Sequence, residues 1–140
     1  MELTVNYLGN FQFEAETRGL KVLCDQPVED QGDNEAMTPT ELFVASLATC
    51  SAYYAVYYLK TRNLPKDGLK VKVNAEKASG PARISKFQIR VELPGISDPQ
   101  HIEGVRRSVA KCLVKNTLMM APEFEVEIEG FEADKGQAAE

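Results

Sequence analysis

Three cysteines and one histidine limit the chemistry open to this chain of 140 residues. The cysteines are Cys24, Cys50 and Cys112, and none belongs to a Cys-x-x-Cys pair, which excludes a zinc ribbon or a thioredoxin-type redox motif. His101 is the only imidazole, so a Ser-His-Asp or Cys-His site would have to use it. A histidine-rich metal site is excluded for the same reason. The cysteines therefore remain as the candidates for covalent chemistry.

Cys50 and Cys112 allow two interpretations. Free cysteine is among the residues most often buried, so both can be small core residues. Alternatively they form a redox pair, in which a fixed cation holds one thiol as the thiolate and the second thiol resolves its oxidised form. The two are 62 positions apart, so only the tertiary fold could bring them together, and both interpretations stay open. Cys24 ends a predicted strand, and we assign it a structural role.

Two charged residues could support such a pair. Arg18 precedes Gly19 at the start of a predicted strand, where its guanidinium could point at a buried thiol; the alternative is a solvated arginine at a strand end. Glu41 belongs to a helix N-terminal capping box, a role worth about 1 kcal/mol. The same carboxylate could also orient a guanidinium by bidentate pairing. His101 falls in the first turn of a predicted helix, where we expect it to be exposed.

The charge balance excludes several classes of protein. Sixteen basic and 21 acidic residues give a formal charge of -5, which argues against a dedicated nucleic-acid binder and against a polybasic membrane-surface protein. The apolar stretch over 42–59 contains Ser, Thr and Tyr, so we expect no membrane span. The N-terminus lacks a basic region followed by an apolar core, so no signal peptide is predicted. Together with the sparse cysteines, this predicts a cytoplasmic protein whose thiols are reduced.

Hydrophobic periodicity and turn residues predict the elements. The strongest signal is the capping box Thr38-Pro39-Thr40-Glu41, which begins a helix that runs to about Asn63. We predict strands over 3–7, 11–15, 20–24, 69–75, 87–93 and 124–128, a loop over 26–37, a second helix over 98–114 that carries Cys112, and a frayed polar tail over 133–140.

This order, β-β-β-α-β-β-α-β, predicts an α+β fold with antiparallel sheets packed around the long helix, as one domain over 1–140. The long helix has apolar or small residues on almost every face, which is typical of a buried central helix. One small sheet offers too little cover for it. We therefore expect a homodimer.

The run from Gly32 to Cys50, G-D-x-x-x-x-T-P-T-E-L-F-V-A-S-L-A-T-C, and the later K-C-L-V-K-N-T-L over 111–118 resemble the OsmC family of osmotically induced and organic-hydroperoxide-resistance proteins. The resemblance implies an intertwined homodimer with two sheets around two central helices. It also implies a thiol peroxidase that uses neither metal nor flavin, reduces small organic hydroperoxides and is itself reduced by a dithiol partner. Cys50 would be the peroxidatic cysteine, Cys112 the resolving cysteine, and Arg18 the cation that holds the thiolate.

Two other functions fit the same residues. In one, the cavity between subunits binds a small apolar ligand and the cysteines only line it. In the other, the dimer is a redox sensor or adaptor that does not turn over. Thiol loss on treatment with an alkyl hydroperoxide distinguishes these alternatives from the peroxidase.

Overall fold

Three short strands form an antiparallel sheet at the start of the chain. They are β1 (Thr4–Gly9), β2 (Gln12–Thr17) and β3 (Leu20–Cys24), in the order β1-β2-β3, in a computed structural model that describes residues 1–133. The β2–β3 turn places Arg18 and Gly19 at φ 55° and 77°, in the left-handed region that glycine tolerates best. The alternation of the sequence predicted all three strands to within a few residues.

The long helix α1 (Pro39–Thr61) begins where the capping box predicts. The Thr38 hydroxyl accepts a hydrogen bond from the Glu41 N–H at 3.2 Å, and the Glu41 carboxylate accepts one from the Thr38 N–H at 2.8 Å. Pro39 occupies the first turn, where its missing N–H costs nothing. The prediction of this helix and of its N-terminal cap is confirmed.

A second antiparallel sheet, β4 (Lys70–Ala78) paired with β5 (Arg83–Glu92), packs against α1 together with helix α2 (Pro99–Val109). The core of this unit is a cluster of Ala55, Leu59 and Val105. Gly104 allows the two helices to approach closely, because a Cβ at this position would overlap the side chain of Tyr58. The α+β class with antiparallel sheets agrees with the prediction.

The predicted second helix over 98–114 is wrong in its extent. The structure ends α2 at Val109 and starts a separate helix α3 (Leu113–Met119) after a short break. Cys112 therefore does not lie on the apolar stripe of α2; it is the N-cap residue of α3, with φ -52° and ψ 118°. The break lacks Gly or Pro, so the sequence carries no local signal for it.

The predicted last strand over 124–128 is also wrong for the single chain. Residues 120–133 form no regular element, and the side chains of Phe124, Val126 and Ile128 are 84%, 82% and 92% exposed. Alternation predicts a strand, but a strand also needs a neighbour that satisfies its backbone groups, and the described chain offers this segment none. The predicted tail over 133–140 lies outside the described residues except for its first position.

The burial predicted for α1 is only partly present in one chain. Its fully covered residues, Leu47, Ser51, Ala55 and Leu59, follow each other at every fourth position and so form one face, while Tyr53 and Tyr57 lie outside. Within residues 1–133 the β1–β3 sheet makes no extensive contact with α1. By length and composition α1 could cross a membrane, with a mean hydropathy of 1.4, but a core helix of a soluble protein meets the same criterion.

The segment between β3 and α1 is organised around a buried carboxylate. Asp25 is fully buried and accepts hydrogen bonds from the backbone N–H groups of Gln26, Asp33 and Glu35, and from the Gln12 side chain. The Glu35 N–H lowers the pKa of Asp25 most, and this bond and the others outweigh the opposing effect of burial. The ends of the segment are joined by the Asp25 N–H, which donates to the Met37 carbonyl at 3.2 Å.

Replacing Asp25 with alanine is expected to lower the midpoint of thermal unfolding by about 5 °C, because three backbone N–H groups lose the buried carboxylate that accepts from them. The pKa of Asp25 is lower in the folded chain than in the unfolded chain. The carboxylate therefore stabilises the wild type above the unfolded pKa of about 3.9, and this contribution is lost as the pH falls through the folded pKa. The difference in unfolding midpoint between wild type and Asp25→Ala should therefore be largest at pH 7 and should shrink as the pH is lowered below about 3.9. Asp33→Ala, which removes an exposed carboxylate from the same loop, is the control, and an equal loss for both variants would contradict the assignment.

Candidate functional site

Cys50 and Cys112 meet where the middle of α1 contacts the beginning of α3. Cys50 is half-buried on α1, and Cys112 is fully buried at the α3 N-cap. The two thiols are close enough for each to influence the pKa of the other, although 62 positions separate them in the sequence. Both are free thiols, as is Cys24. Of the two open interpretations of these cysteines, the geometry favours the pair.

The start of α3 points hydrogen-bond donors at the Cys50 sulfur. Partial burial raises the pKa of the Cys50 thiol, because it disfavours the charged form. Hydrogen bonds from the backbone N–H of Val114, from the Cys112 thiol and from the N–H of Leu113 act in the opposite direction and outweigh burial. The pKa of Cys50 is therefore below that of an ordinary thiol, as is typical of cysteines that face backbone N–H groups at a helix N-terminus.

The pKa of Cys112 moves in the opposite direction. Burial raises it most, and the hydrogen bond to Cys50 and the charge of Cys50 raise it further. The Lys115 N–H, which donates to the Cys112 sulfur at 3.5 Å, and the Ser51 side chain lower it, but not enough to compensate. In this pair Cys50 ionises first and Cys112 holds its proton, which is the division of roles between an attacking thiolate and a resolving thiol.

The structure brings together only two of the four candidate site residues within one chain. Arg18 lies at the exposed β2–β3 turn, on the sheet that makes no extensive contact with α1. It lines a separate cavity near the N-terminus with Met1 and Glu2. Glu41 is nine residues before Cys50, about 13 Å along the helix axis, and its carboxylate is engaged in the N-cap.

An open cavity of about 470 Å³ lies beside α3, and neither Cys50 nor Cys112 lines it. Its lining includes Leu113, which follows Cys112, and Tyr54, which lies one helical turn after Cys50. Met120 and Pro122 add apolar surface. The cavity has room for a small molecule with an apolar group.

Sequence reasoning missed three contributors to the site. The N–H groups of Leu113 and Val114 act through the backbone, so no residue type signals them, and only the break before α3 exposes them. Ser51 directly follows Cys50 and is fully buried, but a serine in a helix of many small residues gives no sign of this in the sequence.

The prediction that His101 is exposed was wrong. His101 is half-buried, and its Nδ1 lies 3.2 Å from the Tyr58 hydroxyl.

Over residues 1–133, no three or more acidic, histidine or cysteine side chains are grouped so that they could hold a metal ion.

Comparison with known proteins gives a family and a set of structural neighbours. A family model described as OsmC-like protein matches residues 32–127. No curated protein matches the chain.

Solved structures share the fold at low sequence identity. An osmotic stress induced and detoxification response protein from Psychrobacter arcticus 273-4 is 24% identical, with a TM-score of 0.76 over 82% of this chain and 85% of that one. An OsmC-like protein from Mycoplasma pneumoniae is 14% identical, with a TM-score of 0.73 over 86% and 87% of the two chains. An organic hydroperoxide resistance protein from Legionella pneumophila is 17% identical, with a TM-score of 0.59 over 84% and 87%. The family match covers more than half of the sequence and includes both Cys50 and Cys112, so this chain belongs to the OsmC-like family.

Proposed function

We propose that this protein is a thiol peroxidase that reduces organic hydroperoxides through Cys50 and Cys112. The observation that carries the proposal is the proximity of these two thiols where α1 meets α3, with the pKa of Cys50 lowered and the pKa of Cys112 raised. A merely structural pair of buried thiols has no need for one member to ionise readily. Membership of a family that includes organic hydroperoxide resistance proteins supports a role in the response to oxidative stress.

The proposed reaction has three steps. The Cys50 thiolate attacks the terminal peroxide oxygen, the O–O bond breaks, Cys50 becomes a sulfenic acid and the alkoxide leaves as the alcohol after taking a proton. The Cys112 sulfur then attacks the Cys50 sulfur, and the disulfide forms while the hydroxyl group leaves as water with the Cys112 proton. A dithiol reductant, oxidised in its turn, reopens the disulfide by exchange.

A homodimer would cover apolar surfaces that a single chain leaves exposed. One face of the β1–β3 sheet is apolar and uncovered, since Val5, Tyr7 and Val22 are 54%, 67% and 43% exposed. The outer face of α1, with Tyr53 and Tyr57, is uncovered as well. Apolar surfaces of this extent are characteristic of interfaces. We propose that the sheet of each subunit covers the helices of the other.

This arrangement also gives Arg18 a role. In one chain its guanidinium is on a sheet remote from Cys50, but a sheet that covers the second subunit would carry Arg18 towards the Cys50 of that subunit. A guanidinium there would favour the thiolate and could bind the peroxide oxygens. The site would then be shared between subunits.

The test is a thiol titration after addition of one equivalent of an alkyl hydroperoxide such as cumene hydroperoxide. We expect two thiols per chain to disappear, with an intramolecular crosslink between the peptides that contain Cys50 and Cys112. The rate should rise with pH through the pKa of Cys50, and the midpoint of this rise should lie below that of an ordinary thiol, since only the thiolate reacts. Oxidation without turnover under any dithiol would favour a sensor, and no thiol loss at all would contradict the peroxidase.

A further inference from the structure

We propose that the segment over 123–129 of a second copy of this chain binds the open edge of β5 as an added strand. The inference goes beyond the cysteine chemistry and does not depend on it. Glutamate alternates with an apolar residue throughout the segment, EFEVEIE, which is typical of a strand with one buried face. Within residues 1–133 it pairs with no strand, and its apolar side chains Phe124, Val126 and Ile128 are almost fully exposed. The segment therefore lacks both a sheet edge and an apolar surface to cover.

The sheet formed by β4 and β5 leaves one edge of β5 open. In the described part of the chain β5 pairs with β4 on one side and with no strand on the other. In an antiparallel pair, residues alternate between those that bond the neighbouring strand and those whose backbone groups point away from it. Every second residue of β5 therefore presents its N–H and C=O at the open edge, where an added strand can bind them.

An apolar cavity of about 270 Å³ lies between β5 and α2. Six aliphatic residues line it, namely Ile89, Val91, Leu93, Ile102, Val105 and Val109. Arg106 also lines the cavity, but its guanidinium is paired with Glu103 at 3.2 Å. The lining includes no residue of β4, so the cavity lies on the side of β5 that has no neighbouring strand. A strand added there, with its apolar residues facing the same way as those of β5, would place Phe124, Val126 and Ile128 against the cavity.

The outer face of β5 carries charges that complement the glutamates of the segment. Lys86 and Arg90 lie on this face, and so does one acid, Glu92, which is paired with Lys72 at 2.6 Å. Lys86 is paired with Glu76 at 3.5 Å. Arg90 makes no ion pair within residues 1–133, and its partner across the sheet is another cation, Lys72. When the apolar residues of the added strand face the cavity, its glutamates lie on the outer face beside Arg90.

The other three edges fit the segment less well. The polar face of the β1–β3 sheet carries Glu14 and Glu16, which would repel a strand of glutamates. The inner face of β4 is already covered, because α1 contacts β4 more extensively than it contacts β5. We assign the segment to a second copy because in its own chain it does not pair with β5, and because the other uncovered apolar surfaces of the chain also indicate a dimer.

Val126→Asp, followed by hydrogen exchange of the individual β5 amides, tests the contact. Val126 is 82% exposed in the single chain, so aspartate there disturbs no packing within it. In wild type all β5 amides should be protected. In Val126→Asp every second β5 amide, those at the open edge, should exchange about tenfold faster or more, while the amides bonded to β4 stay protected. Val28→Asp is the matched control, because Val28 is also an exposed valine but belongs to the loop between β3 and α1. It should leave the exchange of β5 unchanged.

A crosslinking experiment on the wild-type chain identifies which copy supplies the segment. Chains labelled with a heavy nitrogen isotope and unlabelled chains are refolded together in equal amounts. A carbodiimide then joins lysine amines to carboxylates that touch them. Crosslinks between Lys86 and the glutamates of the segment should form, and about half of them should join a labelled peptide to an unlabelled one.

Three results would overturn the added strand. The first is fast exchange of the edge amides of β5 in wild type, and the second is equal exchange in wild type and Val126→Asp. The third is the absence of any crosslink between Lys86 and the segment. Crosslinks that join only peptides of the same label would place the segment on its own chain and overturn the exchange between copies. None of these results bears on the peroxidase proposal, which is tested by the loss of thiols.

Discussion

Replacing Cys50 with serine is expected to abolish hydroperoxide reduction, to below about one thousandth of the wild-type rate, because a hydroxyl is not ionised at neutral pH and forms no sulfenic acid. Replacing Cys112 with serine should leave the first step intact, because the Leu113 and Val114 N–H groups still face the Cys50 sulfur. In that variant the sulfenic acid of Cys50 should accumulate. Dimedone should then trap it, and mass spectrometry should find one adduct on the peptide that contains Cys50.

Cys24→Ser provides the matched control for these variants. Cys24 is also a buried thiol, but it ends β3 and its pKa is raised by burial and by the neighbouring Asp25. Its loss should leave the rate of hydroperoxide reduction unchanged. Peroxidase activity that survives in Cys50→Ser, or that disappears in Cys24→Ser, would contradict the assignment of Cys50.

Arg18→Ala is expected to slow the peroxide reaction about 10- to 100-fold, since a hydrogen bond to a charged group contributes roughly 1.5–3 kcal/mol. The shared site makes a sharper prediction for mixed dimers. When Arg18→Ala and Cys50→Ser chains are refolded together, half of the dimers are mixed, and each of these contains one site with both residues intact. Activity should recover to about a quarter of the wild-type level.

The mixed-dimer experiment separates two placements of Arg18. If Arg18 served the Cys50 of its own chain, no site in the mixture would be complete, and activity would be about half that of the Arg18→Ala protein at the same total concentration, because half of the chains lack Cys50. Arg83→Ala is the matched control, because Arg83 also follows a turn at the beginning of an exposed strand. Mixtures of Arg83→Ala with wild type should show full activity.

The parts of the fold that local residues determine were predictable from the sequence. The N-terminus of α1 depends on Thr38, Pro39 and Glu41, which contact each other, so their spacing is sufficient. The hairpins follow from alternation and from turns such as Arg18-Gly19. The strand predicted over 124–128 failed because its pairing depends on a neighbour that the sequence pattern does not specify.

The site was less predictable because its interactions are not local. The sequence identified Cys50 and Cys112 as candidates, but their proximity depends on the packing of α3 against α1. The donors at Leu113 and Val114 depend on the break at Cys112, where the thiol itself accepts the Lys115 N–H and takes the place of a serine or aspartate cap. A cysteine that caps a helix after a short break has no recognisable sequence pattern.

The hydrogen bond between the Asp25 N–H and the Met37 carbonyl has a consequence for how the chain tolerates variation. It holds together the two ends of the loop between β3 and α1, while the short turn at Val28–Asp30 lies in the middle of that loop. Residues inserted at this turn would lengthen the loop without shifting the first turn of α1. The position of Cys50 on α1 is thus protected from changes in the length of this loop.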